Sequence, residues 1–560
     1  MSDQYDFDAI VVGSGPTGGW AAKELTEQGL KTLLLDRGKM VEHRTGYPHE
    51  GRPRFQMPYR GEWPPGLKDK YFQQWPASPW NYAYWNDDTR FPYIDDPDKP
   101  FNLARSGVFG GKSIVWGRQS YRWSDLDFKA NERDGHGIPW PIGYDDIEPW
   151  YAHVEQFMGV AGERRELPQL PDSEFIGQVP LNVAEEHFKT RVEKQLDRAI
   201  TVGRTMNLME DRPEQGRIRC QFRAQCGNGC SFGAAPATQA TTLPAARKTG
   251  NLTERANATV AELVYDGAQQ RVTGVRVIDT ETKATTTYSA RIVFLCASAM
   301  GTTQLLLSSR SEAMPRGLGN KHDIVGRHVM DHLFGVGATG ILPGYTDLTE
   351  YGRRPSSMYI PRFRNINATP DDDADFVRGY NYQTWAGGRS GPQDYSGFGA
   401  SLKAQLRVPG AWRIPLHGFG EVLPYADNRA FLDDKKVDAL GLPLMRFDVT
   451  WRENEEKMAK EILSEAVHML EVAGCTDIET RPEMAVPGTG IHEMGTARMG
   501  NDPTESVVNR WNQMHVANNV FITDGSFMTS AGTVNPTMTY MAFTARAANH
   551  AAKLFKAGTI

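Results

Sequence analysis

Asp8-Ala-Ile-Val-Val-Gly13-Ser-Gly15-Pro-Thr-Gly18-Gly19 decides the fold. A short apolar run leads into G-x-G-x-x-G, and apolar residues then recur at helical spacing through Ala21, Ala22 and Leu25 until Gly29. Thr32-Leu33-Leu34-Leu35-Asp36 follows as a second parallel strand, which completes a βαβ unit. In such a unit Gly13 permits the tight turn, Gly15 lets the backbone approach a pyrophosphate, and Gly18 packs helix on strand. Asp36, at the end of strand two, is placed to bind a ribose hydroxyl. The fingerprint predicts a bound dinucleotide.

Outward from that unit, the chain keeps returning to the same sheet. Arg105-Ser-Gly107-Val-Phe-Gly110-Gly111-Lys112-Ser113-Ile-Val-Trp116-Gly117-Arg118-Gln119 reads as a loop and helix start. Its Gly110 and Gly111 free backbone amides for a phosphate or a flat ring, and Ser113 can donate to either. Residues 257–296 read as a meander that leads into Ile292-Val-Phe-Leu-Cys296 and a helix from Thr302 to Leu307. Asn519 to Thr523 reads as a further strand, with a helix from Pro536-Thr537 towards Leu554 and Pro536 at its first position. Between them, residues 336–484 carry no nucleotide motif. Ser401 to Arg407 and Pro443 to Thr450 read as strands there, and Glu453 to Val472 as one amphipathic helix. The expected division is 1–335 and 485–560 for the cofactor domain, with 336–484 as the substrate domain.

The chemistry is signalled near the C-terminus. Gly490-Ile-His492-Glu-Met-Gly495 places a histidine on a glycine-rich bend, and Asp524-Gly525-Ser526 and Asn535-Pro536-Thr537 follow. A neutral imidazole can take a hydroxyl proton while an amide holds the same oxygen, which suits oxidation of an alcohol. Asn535 is equally an N-cap by type and position, and that role is compatible with the other. A helix N-terminus there would stabilise negative charge arising on a hydride-accepting ring.

Three of the five cysteines crowd into Cys220-Gln-Phe-Arg-Ala-Gln-Cys226-Gly-Asn-Gly-Cys230, which offers three soft ligands in one glycine-containing loop. An iron-sulfur cluster is the sharper reading. Ordinary thiols, or one disulfide and a spare thiol, remain open, and so does zinc, although no histidine lies beside the loop to complete a zinc site.

Composition frames these motifs. At 560 residues the chain exceeds one small core, and its net charge of −6, with 62 basic and 68 acidic residues well mixed, gives no nucleic-acid footprint. The acidic run Asp371-Asp372-Asp373-Ala-Asp375 reads as a solvated loop. No stretch has membrane-spanning length and no secretory signal precedes the first strand, so a soluble chain without its own export address is expected.

Together the N-terminal fingerprint, the Gly-Gly-Lys-Ser-x-x-Trp-Gly loop, the Val293 to Leu307 strand and helix, Val325-Gly-Arg-His-Val-Met-Asp-His332 and the His492 and Asn535-Pro536 block resemble the glucose-methanol-choline oxidoreductases nearly end to end. The resemblance implies flavin adenine dinucleotide (FAD), held in a Rossmann-like domain assembled from discontinuous segments. It also implies a substrate domain with a mainly antiparallel sheet, giving an α/β two-domain fold of the p-hydroxybenzoate-hydroxylase type. His492 is then the base and Asn535 its partner. The FAD contacts are Gly13, Gly15, Gly18, Asp36, Gly110, Gly111, Ser113, Trp116, Asp524, Gly525, Asn535, Pro536 and Thr537. Most relatives carry Glu where this chain has Asp36.

The wording around Gly18, Trp116 and Cys226 to Cys230 further resembles the large subunits of bacterial glucoside 3-dehydrogenases. That likeness implies oxidation at C3 of a glycoside, a 3Fe-4S cluster on Cys220, Cys226 and Cys230, a cytochrome c acceptor, and a small subunit bearing the export signal. The enzyme would then be periplasmic by co-export, and otherwise cytoplasmic. An oxygen-using pyranose or glycoside oxidase, a nicotinamide-dependent dehydrogenase and a non-enzymatic flavin-binding protein are the competing readings. Gln119, Tyr382, Trp385 and His417 are the polar and aromatic groups expected to meet a sugar.

Overall fold

The computed structural model describes residues 5–223, 225–349, 354–367, 374–384, 398–407 and 410–560. Trp385 and the acidic run from Asp371 to Asp373 lie outside the described residues.

Strand Phe7–Val12 is apolar on both faces and runs between two parallel neighbours, Thr32–Leu35 on one side and Thr285–Leu295 on the other. Such continuous burial is what a parallel strand covered on both faces requires. Leu252–Arg255 extends this sheet beyond Thr32–Leu35, and Ala517–Ile522 and Gln513–Met514 extend it beyond Thr285–Leu295. Two expected strands prove to be one. Thr285–Leu295 starts exposed, pairs antiparallel with Arg271–Asp279 of the meander, and continues buried into the parallel sheet.

Helix Pro16–Glu27 follows the first turn, and Gly18 sits so close to the strand that an added Cβ would fall 1.7 Å from the Gly13 carbonyl oxygen. Gly13 itself has φ +96°, a conformation open to glycine. The C-terminal helix Thr537–Lys556 packs beside Pro16–Glu27 and buries Ala547, Ala548, Ala551 and Ala552. It begins one residue later than expected. Pro536 is the capping residue, and Asn535 stands outside the helix with its side chain turned elsewhere.

The second sheet is antiparallel. Its order is Thr476–Arg481, Gly337–Leu342, Trp412–Glu421, Tyr380–Gln383, Met358–Ile360 and Thr201–Val202, with the short strand His332–Leu333 also paired to Trp412–Glu421. Helix Glu453–Val472 covers one face with Met458, Ile462, Ala466, Met469 and Leu470, at the spacing that puts side chains on one stripe. Helix Val183–Leu196 and strand Thr201–Val202 join this core from the first part of the chain. Strands Arg429–Val437 and Pro443–Asp448 form a separate ribbon, which packs on Tyr93, Phe101 and the helix Ala299–Ser308 beside the first sheet.

One expected strand is a helix. Leu402, Ala404 and Leu406 alternate like a strand, yet Gly399–Arg407 is helical and no described side chain in it is buried. A strand needs a neighbour for its backbone groups, whereas a helix of Ala, Leu, Lys, Gln and Arg satisfies its own. No helix among the described residues is long and apolar enough to cross a membrane.

Gly18→Ala tests the close approach of first helix to first strand. It should destabilise the chain by about 3 kcal/mol or more, since backbone rather than a movable side chain occupies the space. A clearly lowered thermal midpoint is expected; an unchanged one contradicts the packing.

Candidate active site

A cavity of about 580 Å³ opens between the two sheets. Its floor on the first sheet is Gly13, Ser14, Gly15 and Asp36, and its far end is His492, Asn535, Gln383, Phe334 and Phe419. Gly15 has open space where a Cβ would point, and Gly111 brings the second glycine loop within 3.3 Å of the Gly15 Cα, measured from its own notional Cβ. The two loops are tied together, because Gly110 N donates to Ser14 Oγ at 2.6 Å and Ser14 Oγ donates to Asp36 Oδ2 at 2.6 Å.

Asp36 accepts three hydrogen bonds from its own chain: Ser14 N at 2.9 Å, Ser14 Oγ, and Gly38 N at 2.7 Å. A carboxylate has about four acceptor positions, so about one remains towards the cavity. Burial raises its pKa, against these bonds.

His492 is held by the segment that precedes the second sheet. Met330 and Met494 exchange backbone hydrogen bonds at 3.0 and 2.9 Å, and the Asp331 carboxylate accepts from Gly490 N and His492 N, each at 2.9 Å. A Cβ on Gly490 would lie 2.6 Å from Asp331 Oδ1, which explains the glycine there. Burial, and then Glu493, push Asp331 up to about 7. Next in the chain, His332 places Nδ1 2.7 Å from His492 Nδ1.

On its other side, His492 Nε2 stands 3.1 Å from Asn535 Nδ2, and Asn535 Oδ1 accepts from Gln383 Nε2 at 2.7 Å. Gln383, which lines the cavity, is 2% exposed, and its buried Oε1 has no hydrogen-bond partner among the described residues. Burial, then His332 and Lys112, hold the His492 imidazole well below its ordinary 6.5. Lys112 is itself paired with Glu493 at 3.0 Å. The result is a neutral, buried imidazole and an amide donor converging at one end of a cavity, which is the arrangement that proton abstraction from a hydroxyl needs.

Two models of one family, each described as GMC oxidoreductase, match residues 7–334 and 424–544. The chain belongs to the GMC oxidoreductase family. It is 28% identical to the fructose dehydrogenase large subunit of Gluconobacter japonicus over 97% of each chain. It is 27% identical to 2-methyl-1,2-propanediol dehydrogenase of Mycolicibacterium austroafricanum over 98% of this chain and 95% of that one. Over 52% of each chain it is 26% identical to C-glycoside 3-oxidase of Microbacterium trichothecenolyticum. In fold it matches a crystal structure of pyridoxine 4-oxidase from Mesorbium loti with a TM-score of 0.58, over 97% of this chain and 98% of that one, at 16% identity.

GMC oxidoreductases bind FAD, and the cavity fits that group. It offers backbone amides at an open Gly15, an acceptor position on Asp36, and at its other end the Tyr540 hydroxyl, buried without a hydrogen-bond partner among the described residues. Gly13, Gly15, Asp36, Gly111, Trp116, Asp524, Gly525, Asn535, Pro536 and Thr537 all line it. Gly18, Gly110 and Ser113 do not. Gly18 packs helix on strand, while Ser113 Oγ donates to Gly110 O at 2.6 Å and so braces the loop from behind.

Of the residues expected to meet substrate, Gln119 lines the cavity and Tyr382 and His417 do not. Tyr382 points away from the cavity and its hydroxyl donates to Ile462 O at 2.6 Å, within the core under helix Glu453–Val472. Its neighbour Gln383 faces the cavity instead, as side chains alternate along a strand. His417 lies across the pair from Gln383 but outside the cavity wall; burial, then Arg481, lower its pKa to about 4. Gln119 lines the wall and accepts from Tyr121.

Cys220, Cys226 and Cys230 are half-buried free thiols, and among the described residues no three His, Cys, Asp or Glu side chains are gathered as ligands for a metal ion. Burial, and then the two neighbouring thiols, raise Cys220.

Two measurements follow. Gly15→Ala should leave the thermal midpoint of the FAD-free chain nearly unchanged and weaken FAD binding, because its Cβ meets only cavity; unchanged affinity contradicts the cradle. Iron analysis of anaerobically purified protein decides the cluster: stoichiometric iron requires the cysteine loop to close around it, and none leaves the three thiols free.

Proposed function

We propose that this protein oxidises a secondary CH–OH group of a sugar or glycoside, at C3 of the ring, with His492 as base. The observation that carries the proposal is the convergence of His492 Nε2 and Asn535 Nδ2, 3.1 Å apart, at the cavity end that Gln383 also lines. The carbinol oxygen settles between imidazole and amide. Asn535 Nδ2 donates to that oxygen, and His492 Nε2 takes its proton. FAD, when bound, supplies the hydride acceptor. Phe334 and Phe419 close the wall beside His492 and exclude water from the reacting carbon.

Gln383 orients the amide that meets the alcohol. Its Nε2 donates to Asn535 Oδ1, which leaves Asn535 Nδ2 for the carbinol oxygen. C3 regiochemistry draws support from the partial match to a C-glycoside 3-oxidase, and a sugar or polyol substrate from the names of the two full-length relatives.

For onward electron transfer we propose a protein acceptor, a cytochrome c, reached with a second subunit that also carries the chain to the periplasm. The relative named a large subunit supports a second chain. Oxygen uptake equal to sugar oxidised would replace this acceptor with oxygen and leave the His492 chemistry intact.

His492→Ala should lower anaerobic bleaching of FAD by sugar by about 10²- to 10⁴-fold, with FAD still bound. Undiminished bleaching sinks the assignment, and bleaching by no sugar or alcohol in the unaltered protein would favour a flavin-binding protein without catalysis. Gln383→Leu should cost about tenfold in kcat/KM on every alcohol, because Asn535 Oδ1 loses the donor that turns its amide to the carbinol oxygen; an unchanged rate would remove Gln383 from the site.

A further inference from the structure

His332 touches neither the cavity wall nor any residue of the dinucleotide fingerprint, yet it contacts the base directly. It is 1% exposed and lies opposite Glu421 in the antiparallel pair that attaches His332–Leu333 to the second sheet. Its Nε2 is 2.9 Å from Gly532 O. A carbonyl only accepts, so that nitrogen carries the hydrogen, and a neutral ring then has a bare Nδ1. His492 Nδ1, 2.7 Å away, must therefore be the donor, which leaves His492 Nε2 bare.

The other end of the network gives the same answer independently. Thr533 O accepts from the Asn381 amide, whose Oδ1 faces Gln383 Nε2 at 3.4 Å. Gln383 Nε2 donates to Asn535 Oδ1, which turns Asn535 Nδ2 towards His492. An amide nitrogen only donates, so the nitrogen it faces must be bare. Two adjacent backbone carbonyls, Gly532 and Thr533, thus fix one lone pair from both directions.

The charges facing the two rings differ. Lys112 disfavours positive charge on His492, and Glu421 favours it on His332. Lys112 is partly offset by Glu493, and Glu421 is held by Arg378 at 2.7 Å with Arg362 at 3.8 Å. The Asp331 carboxylate accepts from the His492 backbone N–H, and burial keeps the Tyr540 phenol neutral.

We propose that His332 is a positioning residue that fixes His492 in its Nδ1–H form and then takes up, through the Nδ1–Nδ1 hydrogen bond, the proton that His492 removes from substrate. The inference rests on His492 being the base. The substrate O–H bond breaks as His492 Nε2–H forms. His492 Nδ1–H breaks as His332 Nδ1–H forms, while the hydride leaves with its electron pair for FAD. His492 ends neutral, and the charge rests on His332, which donates to Gly532 O beside Glu421.

The test compares His332→Gln with His332→Leu and reads the tautomer directly. Glutamine offers an acceptor to His492 and a donor to Gly532 but takes no proton; leucine offers neither. In the unaltered protein, nitrogen NMR of ¹⁵N-histidine-labelled material should show His492 protonated at Nδ1. His332→Gln should keep that tautomer, lose about tenfold in the rate of FAD reduction by sugar, and shift the acid limb of its pH profile lower, because the site of first protonation is gone. Asp331 is present in both proteins, so its titration cancels in the comparison. His332→Leu takes the acceptor from His492 Nδ1 and leaves Asn535 alone to hold the tautomer, so a measurable fraction of His492 should carry hydrogen on Nε2 and the rate should fall about tenfold further than in His332→Gln. His492 carrying Nε2–H in the unaltered protein overturns the proposal whatever the variants do. So do equal losses in both variants with an unmoved acid limb, which would mark a merely structural role. Failure of His492 as base would show instead as undiminished FAD bleaching in His492→Ala, so the two failures are separable.

Discussion

One lone pair, on Nε2 of His492, is the constraint to which the rest of the site answers. A buried imidazole left to itself has two neutral tautomers, and only one of them presents a base to the cavity. Here the choice is made by backbone. Gly532 O and Thr533 O are successive carbonyls in the turn before the last helix, and each anchors a chain of donors and acceptors that reaches His492 from an opposite side. A carbonyl cannot change its role as a side chain can, so this anchoring is stiffer than one carboxylate behind the ring would be.

That constraint explains why the polypeptide is interleaved. Asn381 and Gln383 come from the middle of the second sheet, His332 from its short outlying strand, Glu421 from the strand between, and His492 and Asn535 from the returning C-terminal segment. None of these could be aimed within tenths of an ångström by a flexible linker. The antiparallel register does it: Asn381 faces Phe419, Gln383 faces His417, and Glu421 faces His332. The first sheet meanwhile brings Gly13, Gly15 and Asp36 to the opposite end of the same cavity, so that cofactor and base are positioned by separate, rigid elements.

Much of this was legible in the sequence wherever a local rule has a local cause. Gly13, Gly15, Gly18 and Asp36 could be placed because the βαβ turn needs those residues at that spacing, and His492 and Asn535 because their bends and the last helix are marked by glycine and proline. Family resemblance added the discontinuous fold, which periodicity alone does not supply. What failed depended on long-range parity. Tyr382 was expected at the substrate and Gln383 was passed over, although they are neighbours, because the face a strand residue takes is set by its sheet and not by its own identity. His332 stood within a recognised motif without a role, since a histidine–histidine contact across 160 positions leaves no local spacing to read. Ser401 to Arg407 alternates like a strand but has no partner to pair with, and it folds as a helix. For the three cysteines, ligand-like spacing alone does not say what they hold, and among the described residues they are free thiols.

The central claim is that a carbinol oxygen sits between His492 Nε2 and Asn535 Nδ2. A crystal structure of the FAD-loaded protein with a bound, unreactive glycoside tests it most directly. The account predicts one sugar oxygen within about 2.6–3.2 Å of both nitrogens. A sugar bound in the cavity with its oxygens on Lys112 or Glu493, and none in reach of His492 Nε2, would contradict it.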